Sequence, residues 1–301
     1  REWEVKKMKK IIAVLLAFTL LILPISCGKD SDDAGSASAS GKESSAVTAN
    51  TTKSAVSQAK SQSADSSAPP AKLENLDNTK QGWGQGKQVD RDNRPISCTQ
   101  FQNKYGKYGA LFIKENTKKI YLTFDEGYEN GYTSKILDSL KEKKVPAVFF
   151  VTHDYAKRNH DLVQRMIDEG HAVGNHSYTH SSMPTLSLSK ASGEITKMHE
   201  YVKDNFKYTM TLFRPPMGEF SERTLALAQS LGYKSVFWSF AYADWDPKKQ
   251  IGADKAYKKI VGGLHSGAVY LLHAVSKDNA EVLGSFIDEA KKRGYELAKL
   301  S

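Results

Sequence analysis

The chain has 301 residues, of which 26% are charged and 40% are hydrophobic, and its Lys and Arg outnumber its Asp and Glu by 43 to 34. This composition lies close to the globular average, which excludes a fibrous protein and a chain that is disordered throughout. No cluster of basic residues with interleaved aromatic residues accompanies the positive charge, so nucleic-acid binding has little support.

The first 27 residues are typical of an export signal. Two lysines precede the apolar run Ile11–Leu23, in which Thr19 is the only polar residue. The run is shorter than the roughly 20 residues that a membrane-spanning helix needs, and it fits the apolar segment of a signal peptide. It leads into Cys27 through a segment that resembles a lipoprotein lipobox. We therefore expect residues 1–27 to be a lipoprotein signal peptide, with Met8 as a candidate for the true first residue.

Lipidation of Cys27 would anchor the exported protein to the outer face of the cytoplasmic membrane. The alternatives are an ordinary signal peptide with an incidental cysteine and an uncleaved anchor. Cys98 is the only other cysteine in the chain, so no intramolecular disulfide is available once Cys27 carries lipid.

A linker is predicted after the signal. Between residues 28 and 72, Ser and Ala supply nearly half of the residues, and no aromatic residue occurs. Such a segment buries too little apolar surface to offset its chain entropy. We therefore expect a disordered linker over residues 28–78 and one folded domain over residues 79–301.

Buried strands alternate with amphipathic helices from residue 110 onward. Predicted strands span residues 119–124, 147–152, 171–175, 211–214, 235–240 and 268–273, and predicted helices span 133–144, 162–169, 189–207, 222–231, 254–264 and 279–293. This alternation predicts parallel β/α units. Their number favours a compact, incomplete β/α barrel, with an open doubly wound sheet as the alternative. No glycine-rich phosphate-binding motif follows a strand, so nucleotide binding is unsupported.

Ionisable side chains end or directly follow five of the predicted strands. They are Asp125 and Glu126, His176 and His180, Arg214, Asp244, and His273. Because a β/α barrel carries its active site at the carboxyl ends of its strands, we expect these side chains to lie close together.

The spacing of His176 and His180 suits a metal site. On a helical turn, side chains four residues apart share a face and can bind one ion. Two histidines with one carboxylate leave open positions for water and substrate, which suits Zn²⁺ or Co²⁺ as a Lewis acid. The spacing alone recurs by chance, and a solvent-facing loop is the alternative interpretation.

Taken together, the motifs resemble those of the polysaccharide deacetylases with a NodB-type domain, carbohydrate esterase family 4. In chain order they read TFDEG, HSYTH, RPPMGEFS, DW and LLH, at residues 123–127, 176–180, 214–221, 244–245 and 271–273. The stretches TFDEGYENGYT, FWSFAYADWD and AVYLLHAVSKDNAE, with GWGQG near the start, are similar to the delta-lactam-biosynthetic de-N-acetylases of spore-forming bacteria. The resemblance implies the distorted, incomplete barrel of the NodB type.

The resemblance also implies a substrate. It points to metal-dependent removal of acetyl from N-acetylmuramic acid residues in the glycan strands of peptidoglycan, leading to the muramic-δ-lactam of the spore cortex. A separate amidase would first remove the peptide, and the lipid anchor would lie in the cytoplasmic or forespore membrane. The alternatives are an N-acetylglucosamine deacetylase acting on peptidoglycan or a chitin-like glycan, and an inactive wall-binding module.

Residue roles follow from the resemblance. Asp125 would be the general base and Arg214 its partner, which keeps the carboxylate ionised. His273 would be the general acid, oriented by Asp244.

The resemblance assigns His176, His180 and Glu126 to a divalent metal, Zn²⁺ in the first place and Co²⁺ or Mn²⁺ as alternatives. Glu126 departs from the pattern, because the family has Asp at this position and the subgroup often has Asn. The longer side chain would either bind the metal with a shifted geometry or turn away.

The remaining assignments concern the acetyl group. The backbone N–H of Met217 would stabilise the oxyanion, and Trp245 and Leu271 would line the pocket for the methyl group. Further aromatic residues are candidates for sugar-stacking walls, with burial in the core as the alternative: Tyr128, Tyr132, Tyr178, Trp238, Phe240 and Tyr242.

Overall fold

The computed structural model describes residues 73–301. The predicted signal peptide, Cys27 and most of the predicted linker lie outside the described residues. Within residues 73–301, no helix is both long enough and apolar enough to cross a membrane.

A parallel sheet forms the centre of the described part. The strands are β1 (Gln81–Gly82), β2 (Ala110–Leu111), β3 (Lys119–Glu126), β4 (Ala147–Val151), β5 (Ala172–Asn175), β6 (Leu212–Phe213), β7 (Glu219–Phe220), β8 (Lys234–Val236), β9 (Ala268–His273) and β10 (Glu296–Leu297). Eight of them pair in the order β10-β3-β4-β5-β6-β8-β2, with β9 also paired to β3, and β1 and β7 form a separate antiparallel pair.

The sheet curls because the chain after β8 returns to β9. Phe240 forms a parallel bridge with Tyr270 of β9, and the Leu271 N–H donates to the Phe240 carbonyl at 2.8 Å. Since β9 also pairs with β3, the two sides of the sheet approach each other through β9. The predicted incomplete β/α barrel is confirmed.

Helices cover the outside of the sheet. They are α1 (Ile96–Tyr105), α2 (Thr133–Lys143), α3 (His153–Arg158), α4 (His160–Asp168), α5 (Leu188–Phe206), α6 (Glu222–Ser230), α7 (Ala253–Gly262) and α8 (Lys277–Lys292). All six predicted helices occur, with ends shifted by no more than two residues. The short α3 and the amino-terminal α1 are two further helices, which sequence patterns did not predict.

Alternation along β3 sets the faces of the barrel. Ile120, Leu122 and Phe124 pack in the larger core, between the sheet and the helices. Tyr121 instead belongs to a smaller cluster inside the barrel. Because successive strand residues point to opposite faces, the alternation places Asp125 on the inner face and the next residue on the outer face.

Residues before 79 also pack onto the domain. Leu73 is buried in the larger core. The Asn78 side chain donates to the Pro184 carbonyl at 2.8 Å and accepts from the Ser221 hydroxyl at 2.8 Å. These contacts lie within the stretch whose composition predicted a linker, because one leucine and one asparagine carry no periodic pattern.

We expect Gly174→Ala to destabilise the domain. A Cβ at this position in β5 would lie 2.4 Å from Cδ1 of Phe150, whose ring is itself fixed under the Arg214 guanidinium at 4.2 Å. Overpacking of this kind costs about 1–3 kcal/mol of unfolding free energy, to be measured by chemical denaturation. The control is Gly193→Ala in α5, where the nearest atom is 3.9 Å away and a gain of about 0.5–1 kcal/mol is expected. Equal stabilities of the two variants would contradict the fixed position of Phe150.

Candidate active site

A cavity of about 730 Å³ opens at the carboxyl ends of the strands. Seven of the residues singled out in the sequence line it, namely Asp125, His176, His180, Met217, Trp245, Leu271 and His273. Four of the six aromatic candidates also line it, namely Tyr128, Tyr178, Trp238 and Tyr242. Tyr132 and Phe240 pack with the larger core instead. The strand-end clustering expected from the sequence is therefore present.

Arg214 holds Asp125 from behind the cavity. Its Nη1 donates to Asp125 Oδ1 at 2.7 Å, and the guanidinium is fully buried. Its Nε donates to the Val236 carbonyl at 3.0 Å, its Nη2 donates to the Phe237 carbonyl at 3.2 Å, and its plane lies over the Phe150 ring. Each guanidinium nitrogen therefore donates a hydrogen bond, and these bonds hold the Arg214 side chain in position against the Asp125 carboxylate.

The Asp125 carboxylate is ionised at neutral pH. Burial acts to raise its pKa, but the positive Arg214 guanidinium, with smaller contributions from His176 and His273, more than offsets burial and lowers the pKa. The second oxygen, Oδ2, lies 3.5 Å from His176 Nε2. A buried carboxylate with one oxygen directed toward the histidines can accept a proton from a water in the cavity.

His176 and His180 meet at the end of β5. Their Nε2 atoms are 3.2 Å apart. The other ring nitrogen of His176, Nδ1, lies 2.9 Å from the Arg214 carbonyl oxygen. Because a carbonyl oxygen only accepts, Nδ1 carries the proton and Nε2 presents its lone pair on the side of His180 and the cavity.

A loop, and not the predicted helical turn, brings the two histidines together. Ser177 and His180 both have left-handed backbone angles, with φ of 67° and 59°. The Asn175 side chain accepts from the Ser177 N–H, and the Ser177 hydroxyl accepts from the His180 N–H, each at 2.9 Å. These two local hydrogen bonds close the turn. The two imidazoles therefore lie close together as predicted, but a loop places them there and not a helical turn.

The donor set fits a divalent metal. Burial lowers the pKa of His176 to about 4 and also lowers the pKa of His180, so both imidazoles are neutral at pH 7. Neutral imidazoles are the form that binds Zn²⁺ and related ions. The hydrogen bond from His176 to the Arg214 carbonyl fixes the tautomer, as the outer partner of a metal-binding histidine does.

Glu126 is not among the residues of the cavity that the two histidines line. It is fully buried, and neither carboxylate oxygen has a hydrogen-bond partner in the described structure. Burial, followed by the nearby Glu129 and Asp125 carboxylates, raises its pKa well above the usual range. In residues 73–301, no three His, Cys, Asp or Glu side chains form a ready cluster for a metal. The strand alternation that directs Asp125 inward directs Glu126 outward, so its assignment as a third ligand stays a prediction.

Asp244 and His273 form the second acid–base pair. Asp244 Oδ1 lies 2.7 Å from His273 Nδ1, and Oδ2 accepts from the His273 backbone N–H at 2.9 Å. Asn279 donates to the same Oδ2 at 2.6 Å, and Tyr242 donates to the Asn279 side chain at 2.5 Å. The supporting role of Asn279 was missed, because its only signal in the sequence is a polar residue early in a helix.

Asp244 keeps His273 able to carry a proton. Burial alone would lower the pKa of the imidazole, but the Asp244 carboxylate outweighs burial and raises the pKa above its ordinary value. With Nδ1 bonded to Asp244, the Nε2 side of the ring is available to the cavity. The site therefore pairs an ionised carboxylate with a protonatable histidine, the combination that general acid–base catalysis requires.

The remaining predicted residues lie around the same cavity. Leu271 is a buried residue of β9, and Trp245 is 57% exposed, with its ring centroid 6.2 Å from that of His273. Met217 is 53% exposed and has a left-handed φ of 59° between Pro216 and Gly218. Leu271, Trp245 and Met217 therefore form an apolar part of the cavity wall, which also contains Asp125 and His273.

Comparisons with known proteins agree with the geometry. The family model described as polysaccharide deacetylase matches residues 113–236. An uncharacterised 30.6 kDa protein of Geobacillus stearothermophilus is 47% identical over 220 residues, which cover 72% of this chain and 83% of that protein. The peptidoglycan-N-acetylmuramic acid deacetylase PdaA of Bacillus subtilis is 42% identical over 227 residues, which cover 75% of this chain and 86% of the relative.

The fold comparison leads to the same relatives. The solved structure of Bacillus subtilis PdaA, a family 4 carbohydrate esterase, superimposes with a TM-score of 0.70 at 41% identity and covers 73% of this chain and 95% of that one. The match to the family model includes Asp125, His176, His180 and Arg214. The chain therefore belongs to the polysaccharide deacetylases, the family 4 carbohydrate esterases, and is a hydrolase of carbon–nitrogen bonds.

Proposed function

We propose that this protein removes the acetyl group from N-acetylmuramic acid residues of peptidoglycan in a metal-dependent reaction. The observation that carries the proposal is that Asp125 and His273 line the same cavity and have pKa values shifted in opposite directions. The pKa of Asp125 is lowered, and the pKa of His273 is raised. Groups whose pKa values are pushed apart in this way serve as base and acid. The substrate is proposed from the similarity to the Bacillus subtilis relative, whose name states that sugar.

Asp125 begins the reaction as general base. Its carboxylate takes a proton from water, and the water oxygen forms a bond to the acetyl carbonyl carbon. Arg214 holds the carboxylate in place and in its charged form. The backbone N–H of Met217, at the cavity wall, is proposed to stabilise the negative charge that develops on the carbonyl oxygen.

His273 completes the reaction as general acid. It gives its proton to the amide nitrogen as the carbon–nitrogen bond breaks, which releases acetate and the free amine of the sugar. Asp244 fixes the tautomer of His273 and stabilises its positive form through the 2.7 Å contact at Nδ1. Trp245 and Leu271 are proposed to surround the methyl group of the acetyl substituent.

His176 and His180 are proposed to hold the divalent metal, with Zn²⁺ favoured and Co²⁺ and Mn²⁺ as alternatives. When bound, such an ion acts as a Lewis acid toward a carbonyl oxygen and lowers the pKa of water. Both imidazoles are neutral, and the hydrogen bond to the Arg214 carbonyl fixes the tautomer of His176.

One observation favours the N-acetylglucosamine deacetylase as a second candidate function. The lactyl group of peptide-free N-acetylmuramic acid is a carboxylate, and no Lys or Arg is among the residues of the described structure that line the cavity. Asp154, which does line the cavity, is itself a carboxylate and is paired with Arg158 at 2.8 Å. N-acetylglucosamine has no carboxylate and would need no cation there.

The cellular setting of the proposal rests on sequence patterns. The signal-like residues 1–27 and Cys27 support an exported protein that is lipid-anchored to the outer face of the cytoplasmic or forespore membrane. A separate amidase would remove the peptide beforehand, and the freed amine would then close onto the lactyl carboxyl as muramic-δ-lactam of the spore cortex.

The function is tested by incubating the protein with peptide-free peptidoglycan strands and analysing the digested products by mass spectrometry. We expect acetate loss from muramic acid, and Asp125→Asn should lower the rate by about 10²–10⁴-fold because the proton acceptor is gone. The matched control is Asp161→Asn, an exposed carboxylate on α4 that should leave the rate unchanged. Acetate loss from glucosamine alone would favour the second candidate, and full activity of Asp125→Asn would refute the mechanism.

Measurements of zinc binding distinguish the role of Glu126 from that of the two histidines. Because Glu126 lies outside the cavity, Glu126→Gln should retain the zinc content of the parent protein, measured by elemental analysis after equilibrium dialysis. His176→Ala should weaken zinc binding by more than about 10–100-fold, the loss typical of removing even an outer partner of a metal site. His160→Ala, a half-exposed histidine on α4, is the control. Loss of zinc from Glu126→Gln would mean that this side chain turns into the cavity when metal binds.

The pH dependence reports on the Asp244–His273 pair. Because Asp244 raises the pKa of His273, its loss lowers that pKa, and the acid form disappears at a lower pH. Asp244→Asn should therefore shift the alkaline limb of the kcat/KM profile to lower pH and leave the acidic limb, set by Asp125, in place. Asp288→Asn on the exposed face of α8 is the control. An unchanged alkaline limb would show that His273 is not the acid.

A further inference from the structure

The segment Gln81–Gly86, with the sequence QGWGQG, lies outside the match to the family model and has no part in the chemistry above. Its first two residues, β1, pair with β7. The next residue, Trp83, donates its backbone N–H to the Gly218 carbonyl at 3.0 Å. The segment is therefore tied to the loop that carries Met217.

Gln85 joins two points of the cavity wall through its side-chain amide. Its Oε1 accepts from Trp238 Nε1 at 3.0 Å, and its Nε2 donates to the Ala241 carbonyl at 2.9 Å. Trp83 adds a third contact, because its indole N–H donates to the Trp238 carbonyl at 3.0 Å. The ring and the backbone of Trp238 are thus both held by this amino-terminal segment.

Trp238 in turn forms the wall of the cavity. It is 9% exposed and lines the cavity together with Ala241 and Leu271. Its ring approaches Gly218 so closely that a Cβ there would lie 2.7 Å from the indole Cη2. With Gly218 at a left-handed φ of 67°, no side chain separates the ring from the Met217 loop. The indole therefore lies between this loop and Gln85.

We propose that Gln85 is a positioning residue that fixes the Trp238 indole as a wall of the acyl pocket and thereby sets the largest acyl group that the enzyme removes. The proposal deepens the proposed function and rests on it. Gln85 touches no reacting atom and acts only through Trp238.

The amide is the group that this bridge requires. One oxygen accepts from the indole N–H, and one NH₂ donates to a carbonyl 3 residues further along the chain. A glutamate at position 85 would keep the first bond and lose the second. A methionine is similar in length and shape but makes neither bond, so the indole would be free to tilt.

The test compares peptide-free peptidoglycan strands that carry N-acetyl or N-propionyl groups, with kcat/KM measured for each. One methylene group in an apolar pocket is worth about 10–200-fold, so the parent protein should prefer acetyl by at least about tenfold. Gln85→Met should lower this ratio by about tenfold, the small end of that range, and Gln85→Glu should lower it by less. Tryptophan fluorescence should change in the same order, because the hydrogen bond of Trp238 is altered.

Gln102→Met is the matched control. Gln102 also bridges two backbone groups, the Ala110 carbonyl at 3.1 Å and the Phe112 N–H at 2.8 Å, but it does not line the cavity, and the hydrogen bonds of Trp238 in the described residues go to other partners. It should lower stability in thermal unfolding without changing the acyl ratio. If Gln85→Met does not fold, Gln85→Glu decides the matter.

The outcomes distinguish a failure of the role proposed for Gln85 from a failure of the proposed deacetylase function. An active parent protein whose acyl ratio is the same in Gln85→Met, Gln85→Glu and Gln102→Met would overturn the role of Gln85 and leave the deacetylase function standing. A parent protein that releases neither acetate nor propionate from any strand would overturn the proposed function and this inference with it.

Discussion

The buried ion pair between Arg214 and Asp125 is the constraint on which the site depends. A guanidinium without access to water is tolerated only when its charge is paired and its N–H groups are bonded, and removing one partner of such a pair costs about 3–5 kcal/mol. Here Asp125 supplies the charge at the end of β3, Arg214 follows β6, and the carbonyls of Val236 and Phe237 end β8. One side chain therefore sets the spacing of three strand ends.

The same pair links the His176–His180 pair to the other ionisable groups of the cavity. The Arg214 carbonyl orients His176, while the Arg214 side chain orients Asp125. On the opposite side of the cavity, Asp244 does for His273 what Arg214 does for Asp125. Asp125 and His273 thus each have an oppositely charged partner on the side away from the cavity. Because Arg214 is positive, Asp125 stays ionised at neutral pH, and because Asp244 is negative, His273 is better able to hold a proton.

Long apolar strands and amphipathic helices could be predicted from the sequence because their periodicity is local. The strands Gln81–Gly82, Ala110–Leu111 and Glu296–Leu297 could not, since two residues carry no period. The HxxxH spacing indicated the histidine pair, although left-handed backbone angles at two positions, and not a helix, bring the rings together.

Side chains that support a residue of the site without reacting themselves were the hardest to predict from the sequence. Gln85 contacts Trp238 across 153 positions, and Asn279 contacts Asp244 across 35. Nothing local marks such residues, because their role depends on which distant backbone groups they meet after folding. The inward or outward direction of Glu126 is a similar case: the motif fixes its position in the chain, but the alternation of the strand decides which face it occupies.

The position of β9 has a consequence for synthesis of the chain. β3 pairs with β4, about 25 residues later in register, with β9, about 148 residues later, and at its first two residues with β10. Until Ala268–His273 arrives, one edge of β3 offers unpaired backbone groups along an apolar strand, the kind of edge that pairs with other chains. A chain cut short before β9 would therefore lack His273 and also be prone to self-association. The first visible effect of losing the last thirty-odd residues should be precipitation of the protein, and the loss of activity would be seen only afterwards.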